Sequence, residues 1–144
     1  MNTYPFKLEL EVRDYECDIQ GIVNNAVYQN YLEHARHLFL KEHDIDFIAL
    51  SKRGINLVVI RAELDYLHPL RTGERFTVAL NLGRVSRIRF AFQQDIYRLP
   101  DDKPILKARI FWTAVNEAGR PFFPKELEEL MERIILPQTK GENG

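Results

Sequence analysis

From Tyr4 to Val12 the chain alternates: Tyr4, Phe6, Leu8, Leu10 and Val12 are apolar, with Lys7, Glu9 and Glu11 between them. A period of two is that of a strand with one buried face. The period then changes. Tyr28, Tyr31, Leu32, Ala35, Leu38 and Phe39 recur three and four apart, while Gln29, Asn30, Glu33, Arg36 and His37 fill the opposite side, which predicts a long amphipathic helix. Asn24 or Asn25 is placed to cap its first turn, and Glu33 with Arg36 is spaced for an ordinary surface ion pair. Asp44 to Arg53 carries Ile45, Phe47, Ile48 and Leu50 and closes on Gly54, predicting a short second helix. Strands follow. Ile55 to Leu67 sets Val58, Ile60, Ala62, Leu64 and Tyr66 against Arg61, Glu63 and Asp65, and ends in the turn His68 to Gly73. Phe76, Val78, Leu80 and Leu82 mark a third strand, Ile88, Phe90, Phe92 and Ile96 a fourth, and Leu106, Ala108, Ile110, Trp112 and Ala114 a fifth. Pro100 to Pro104 and Asn116 to Gly119 punctuate them, and Pro124 opens a short acidic helix through Glu126, Leu127, Leu130 and Ile134.

One strand, a long helix and four strands in succession predict an α+β domain, a five-stranded antiparallel sheet wrapped around the helix, with a core at Tyr31, Ala35 and Phe39. Ala91, Phe111 and Val115 fall on the outward phase of their strands, so apolar surface is expected outside the monomer core, suited to contact between subunits. Residues 1–137 are expected as one domain and 138–144 as a flexible tail.

Composition narrows the function. A net charge of −1 with both signs mixed predicts no nucleic-acid partner. No apolar run has the length of a membrane span, and the first residues lack the form of a signal peptide, so a cytoplasmic protein without a membrane partner is expected. The single cysteine, Cys17, excludes an internal disulfide and lies beside an anionic neighbour, which fits a structural thiol better than a nucleophile. His34, His37, His43 and His68 show no metal-ligand spacing, so no metal is expected.

The chemistry is concentrated in Asp18-Ile-Gln-Gly21-Ile-Val-Asn-Asn25, an acidic side chain and a glycine turn directly ahead of the long helix. Backbone N–H groups in the first turn of a helix can hold a polarised carbonyl oxygen, so an acid and an oxyanion site would lie side by side. Asp18 also fits an Asx turn supporting Gly21, and that reading stays open. Asp18-x-x-Gly21-Ile22-Val23, with Tyr28, Tyr31-Leu32-Glu33 and Ala35-Arg36, resembles the signature of hotdog-fold acyl-CoA thioesterases of the 4-hydroxybenzoyl-CoA thioesterase type, and the order of elements agrees from about Tyr4 to Ile135.

The resemblance implies Asp18 as nucleophile or general base, the Asn25 N–H as oxyanion donor, and Glu33 facing the acyl pocket; Gly21 and Tyr28 are further substrate-site candidates, and Tyr28, Tyr31 and the aromatic strand positions fit either a flat acyl pocket or the core. Many relatives carry a histidine where this chain has Ile22 or Asn25, so the implied mechanism relies on the carboxylate alone. Arg84, Arg87 and Arg89 cluster where the third and fourth strands join. They fit a solvated hairpin, or a clamp on the phosphates of coenzyme A, whose groups match the planar arginine fork. The implied activity is hydrolysis of an acyl-CoA thioester to a free acid and CoA, with no cofactor because CoA belongs to the substrate, in a homodimer or homotetramer. An acyl-acyl carrier protein (ACP) thioesterase and a non-enzymatic acyl-CoA-binding protein are the alternatives. A hotdog dehydratase would pair its acid with a histidine that this motif lacks.

Overall fold

The structure, a computed structural model, describes residues 4–143, with side chains as far as Ile134. The chain runs β1 (Phe6–Glu11), a 3-10 turn (Asp14–Glu16), α1 (Asn25–Glu42), α2 (Phe47–Lys52), β2 (Asn56–Tyr66), β3 (Arg75–Arg84), β4 (Arg89–Arg98), β5 (Lys103–Val115), β6 (Pro121–Phe122) and α3 (Lys125–Asn143). The tail expected over 138–144 lies beyond the described side chains. The sheet is antiparallel in the order β1-β3-β4-β5-β2, and β6 adds to β5 through Ala114 opposite Phe122. It has six strands where five were expected, because a two-residue strand has no alternation to read. Pro124 precedes α3 as its cap, its carbonyl accepting the N–H groups of Leu127 and Glu128.

The inward phases are those of the sequence pattern. Val78, Leu80 and Leu82, Phe90, Phe92 and Ile96, and Leu106, Ala108, Ile110 and Trp112 are buried with Tyr31, Leu32, Ala35 and Phe39 of α1. Ala35 has no exposed surface, and Phe39 meets Phe6 and Phe92 edge to face at 5.7 and 6.2 Å. The long helix is thereby held across one face of the sheet.

Arg36 departs from expectation. It is buried instead of pairing with Glu33 at the surface: its Nη1 donates to Gln94 Oε1 at 2.9 Å, and its guanidinium lies 5.4 Å from the Trp112 ring. Helical phase decides this, since Arg36 follows Leu32 by four residues and so shares its buried side. Burial lowers the Arg36 pKa to about 10, and the nearby charge of Glu33 offsets only part of that. Arg36 Nε and Trp112 Nε1 are buried without a partner among the described residues, so Gln94 carries the polar contact of this charge. Gln94→Ala is expected to cost about 2 kcal/mol, the scale of a hydrogen bond to a charged group, read as a lowered urea midpoint at unchanged slope. A midpoint equal to wild type would remove that role.

The two sheet edges differ. Along β1 the exposed positions are Lys7, Glu9 and Glu11, charges that discourage strand addition. Along β2, Val58, Val59 and Ile60 are exposed in the single chain at 37, 47 and 43 %. Pairing with β5 shifts register between Val59 and Arg61, a bulge. Of the apolar face expected to be buried on this strand, Leu64 packs against the core, while Val58, Ile60, Ala62 and Tyr66 are exposed on an edge strand with a neighbour on one side only. The outward apolar surface expected at Ala91, Phe111 and Val115 is smaller than predicted: Ala91 is buried, and Phe111 is flanked by the guanidinium groups of Arg61 and Arg109. Among the described residues no helix is long and apolar enough to cross a membrane.

Candidate active site

The loop that carries Asp18 hangs from an isolated antiparallel bridge between Cys17 and Val23. Asp18 N–H donates to the Ile22 carbonyl and Gly21 N–H to the Asp18 carbonyl, both at 2.9 Å, closing a tight turn. Gly21 has φ +80°, the left-handed region that glycine enters without strain, and no atom lies near where a Cβ would stand. The backbone angle, not space, requires glycine. Two contacts tie the loop to the β2–β3 connection: Val23 N–H donates to the Leu70 carbonyl at 2.9 Å, and Cys17 Sγ lies 3.2 Å from Thr72 Oγ1. Asp18 Oδ1 accepts the Gln20 N–H at 2.8 Å, which is the Asx turn. Its second oxygen has no hydrogen bond among the described residues, and the side chains of Asp18, Ile19 and Gln20 are exposed.

α1 begins immediately after this loop. Asn24 is its cap, the Oδ1 accepting the Ala26 N–H at 3.0 Å while its carbonyl accepts the Val27 N–H. The Asn25 N–H is left without a partner among the described residues, at the end of the helix where the backbone dipole is positive. Of the two asparagines, then, Asn24 caps and Asn25 presents a free donor.

Two tyrosines flank the first turn of α1, and a third lies further along the helix. Tyr28 is buried, its hydroxyl accepting the Leu70 N–H at 3.2 Å; burial, the largest influence, raises its pKa. Tyr66, the last residue of β2, meets the Tyr28 ring edge to face at 5.6 Å, and its hydroxyl lies 3.5 Å from the Asn25 carbonyl oxygen. Tyr66 is 48 % exposed, so it offers surface beside the donor where Tyr28 only backs it. Sequence reading left Tyr66 among the aromatic strand positions that fit either a pocket or the core, without singling it out; its position just before the His68-Pro69 turn was the available signal. Tyr31, also buried, donates to Glu16. Glu33 is exposed on α1, eight residues beyond Asn25, about 12 Å along the axis.

The arginines are elsewhere. Arg84 is committed to its own hairpin, donating through Nε to the Ser86 carbonyl at 3.1 Å and through Nη2 to the Arg87 carbonyl at 2.5 Å, with its guanidinium 3.8 Å from the Phe123 ring centroid. Arg87 and Arg89 are exposed, and their side chains have no hydrogen-bond partner among the described residues. The Asp18 loop is joined to the chain just before β3, and these arginines follow its far end. The ten residues of β3 separate them by about 33 Å. One chain does not bring the carboxylate and the arginines together. Among the described residues no three His, Cys, Asp or Glu side chains gather as metal ligands.

A family model described as the thioesterase-like superfamily matches residues 12–133. The chain is 43 % identical over 103 residues to acyl-acyl carrier protein thioesterase ATL2, chloroplastic, of Arabidopsis thaliana, covering 72 % of this chain and 55 % of that one. It thus spans little more than half of that relative's length. It is 26 % identical over 129 residues to the long-chain acyl-CoA thioesterase FadM of Escherichia coli, covering 88 % of this chain and 97 % of that protein. A crystal structure from Aquifex aeolicus superposes with a TM-score of 0.79 at 32 % identity, covering 87 % of this chain and 98 % of that one. With one long helix laid across an antiparallel sheet, an acidic turn at the start of that helix, and a family match spanning both, this chain belongs to the thioesterase-like superfamily of hotdog-fold proteins.

Proposed function

We propose that the protein hydrolyses an acyl-CoA thioester to a carboxylic acid and CoA. The observation that carries this reading is the unpaired Asn25 N–H at the start of α1, next in the chain to the turn that holds the Asp18 carboxylate. The thioester carbonyl oxygen is taken by that N–H, and Asp18 either attacks the carbonyl carbon or removes a proton from the water that does. The oxyanion of the tetrahedral intermediate is stabilised by roughly 3 to 4 kcal/mol per donor in acyl-transfer enzymes. Collapse breaks the C–S bond, and the thiolate of CoA leaves and takes up a proton. If Asp18 is the nucleophile, water then cleaves the resulting anhydride. In this reading Tyr66, beside the first turn of α1, and Glu33, further along that helix, meet the acyl group, with Tyr28 behind Tyr66 and Gly21 shaping the loop.

Asp18 is too exposed in one chain for water-excluding chemistry, and the uncovered β2 edge suggests what covers it. Two copies pairing through β2 about a two-fold axis run antiparallel, so each copy's Tyr66 end lies beside the other's Asn56 end. The β3–β4 hairpin is at that Asn56 end. The partner copy's arginines are then the ones near this chain's Asp18, and Arg87 and Arg89 are the pair free to meet phosphate while Arg84 shapes the hairpin.

Arg87→Ala and Arg89→Ala are expected to raise KM for acyl-CoA about tenfold, equivalent to about 1.4 kcal/mol, with kcat nearly unchanged, since a phosphate contact is shared by ground and transition states. The effect shrinks in high salt. Mixed dimers of Asp18→Asn with the double arginine variant separate the geometries: service across the interface restores a wild-type KM in the one intact site. A KM as high as that of the arginine variant alone would return the clamp to its own chain or remove it.

The decisive assay is thiol release from aromatic, short-chain and long-chain acyl groups, each presented on CoA and on ACP. Release from none of them with acyl-CoA still bound would make the protein a binder. The similarity to the Arabidopsis relative favours a second reading, an acyl-ACP thioesterase, which predicts faster release from the carrier protein than from CoA.

A further inference from the structure

Glu16 stands two residues ahead of Asp18 and is bonded to α1 at two levels. Its carbonyl oxygen accepts the N–H of the cap residue Asn24 at 3.0 Å, immediately before the free Asn25 donor. Its carboxylate Oε1 accepts the Tyr31 O–H at 2.8 Å, between one and two turns further along the helix. The same oxygen accepts the Arg13 N–H at 2.8 Å, and Oε2 lies 3.7 Å from Arg13 Nε. The Glu16 side chain is only 11 % exposed, and Oε1 is held by two donors from the chain. Burial first, then the bond to Glu16, pushes the Tyr31 phenol far above its ordinary pKa, so it stays a donor at any working pH.

We infer that Glu16 is a positioning residue, which through Tyr31 and the Asn24 amide sets the separation between the Asp18 carboxylate and the Asn25 N–H. The inference rests on the reading of those two groups as the catalytic pair. A reacting carbonyl must lie about 3 Å from both the attacking group and the oxyanion donor, and a misplacement of about 1 Å can cost on the order of a hundredfold in rate. The tip of the loop, Asp18 to Gln20, is exposed, and among the described residues only the turn's own hydrogen bonds hold it. Its stem is therefore where the spacing is set. One side of that stem is Glu16, and the other is Asn24, joined to it by a backbone bond. The Glu16 side chain extends that joint to the body of α1, whose buried residues anchor it to the sheet.

The test compares Glu16→Ala, Glu16→Gln and Tyr31→Phe with wild type and with Asp18→Asn in the same thiol-release assay. Glu16→Ala and Tyr31→Phe are expected to lower kcat at least about tenfold with KM within twofold, because binding survives and alignment does not. Glu16→Gln is expected to restore most of kcat, since its amide oxygen still accepts from Tyr31 and Arg13. Should Glu16→Ala fail to fold, Tyr31→Phe decides, being smaller by one hydroxyl. Tyr31→Phe with kcat within twofold of wild type overturns the inference, and so does Glu16→Gln as impaired as Glu16→Ala, which would give the Glu16 charge a role of its own. An active Asp18→Asn would instead overturn the catalytic reading, an outcome distinct from either.

Discussion

Asp18→Asn is expected to lower turnover at least about a hundredfold, the scale of acid/base catalysis, while KM for acyl-CoA and the urea midpoint stay near wild type. The substitution removes a charge and keeps the shape. It also keeps the local fold, because the asparagine carbonyl oxygen can still accept the Gln20 N–H that Asp18 Oδ1 accepts now. A loss of activity therefore reports on the second carboxylate oxygen, the one without a partner among the described residues. This separates the two readings of the residue. If Asp18 serves only its turn, asparagine is an adequate replacement and turnover is preserved. If it supplies the attacking or proton-accepting oxygen, turnover collapses in a protein that still binds substrate. Near wild-type turnover on the best substrate defeats the assignment.

The paired substitution Val58→Lys and Ile60→Lys is expected to convert a dimer into a monomer and to abolish most turnover with it. Both positions lie on the exposed edge strand, where lysines oppose strand addition by charge. Neither supports the core of one chain, so the monomer should remain folded. Sedimentation at micromolar concentration gives the assembly state, and thiol release on the same sample gives the activity. Wild type at two or four times the chain mass, with activity that falls on dilution, fits a site completed across the interface. A fully active wild-type species at the mass of one chain rules that shared site out.

Much of the fold was legible because a buried face leaves a period. Alternation marked five strands, and the three-and-four spacing from Tyr28 to Phe39 marked α1 and its buried side. Arg36 shows the limit of reading by residue type: its phase placed it inward with Leu32, whereas its charge suggested the surface. The acidic turn was legible too, since Asp18, Gly21 and the cap Asn24 lie within one stretch of seven residues, and local hydrogen bonds suffice to shape such a turn.

By itself the sequence determined which residues share a face, where the long helix begins, and that a carboxylate sits in a glycine turn ahead of it. These follow from local geometry, in which the spacing of side chains along an element decides their direction. The tertiary structure alone decided which elements become neighbours. It joined Glu16 to Tyr31, Tyr66 to Asn25 across 41 residues and Arg36 to Gln94 across 58. It also put β2 on an edge, leaving Val58, Val59 and Ile60 uncovered, and it set Asp18 and the Arg87–Arg89 pair at opposite ends of β3. A period tells which way a side chain points but not what it meets, because strand order is settled by packing between segments far apart in the chain.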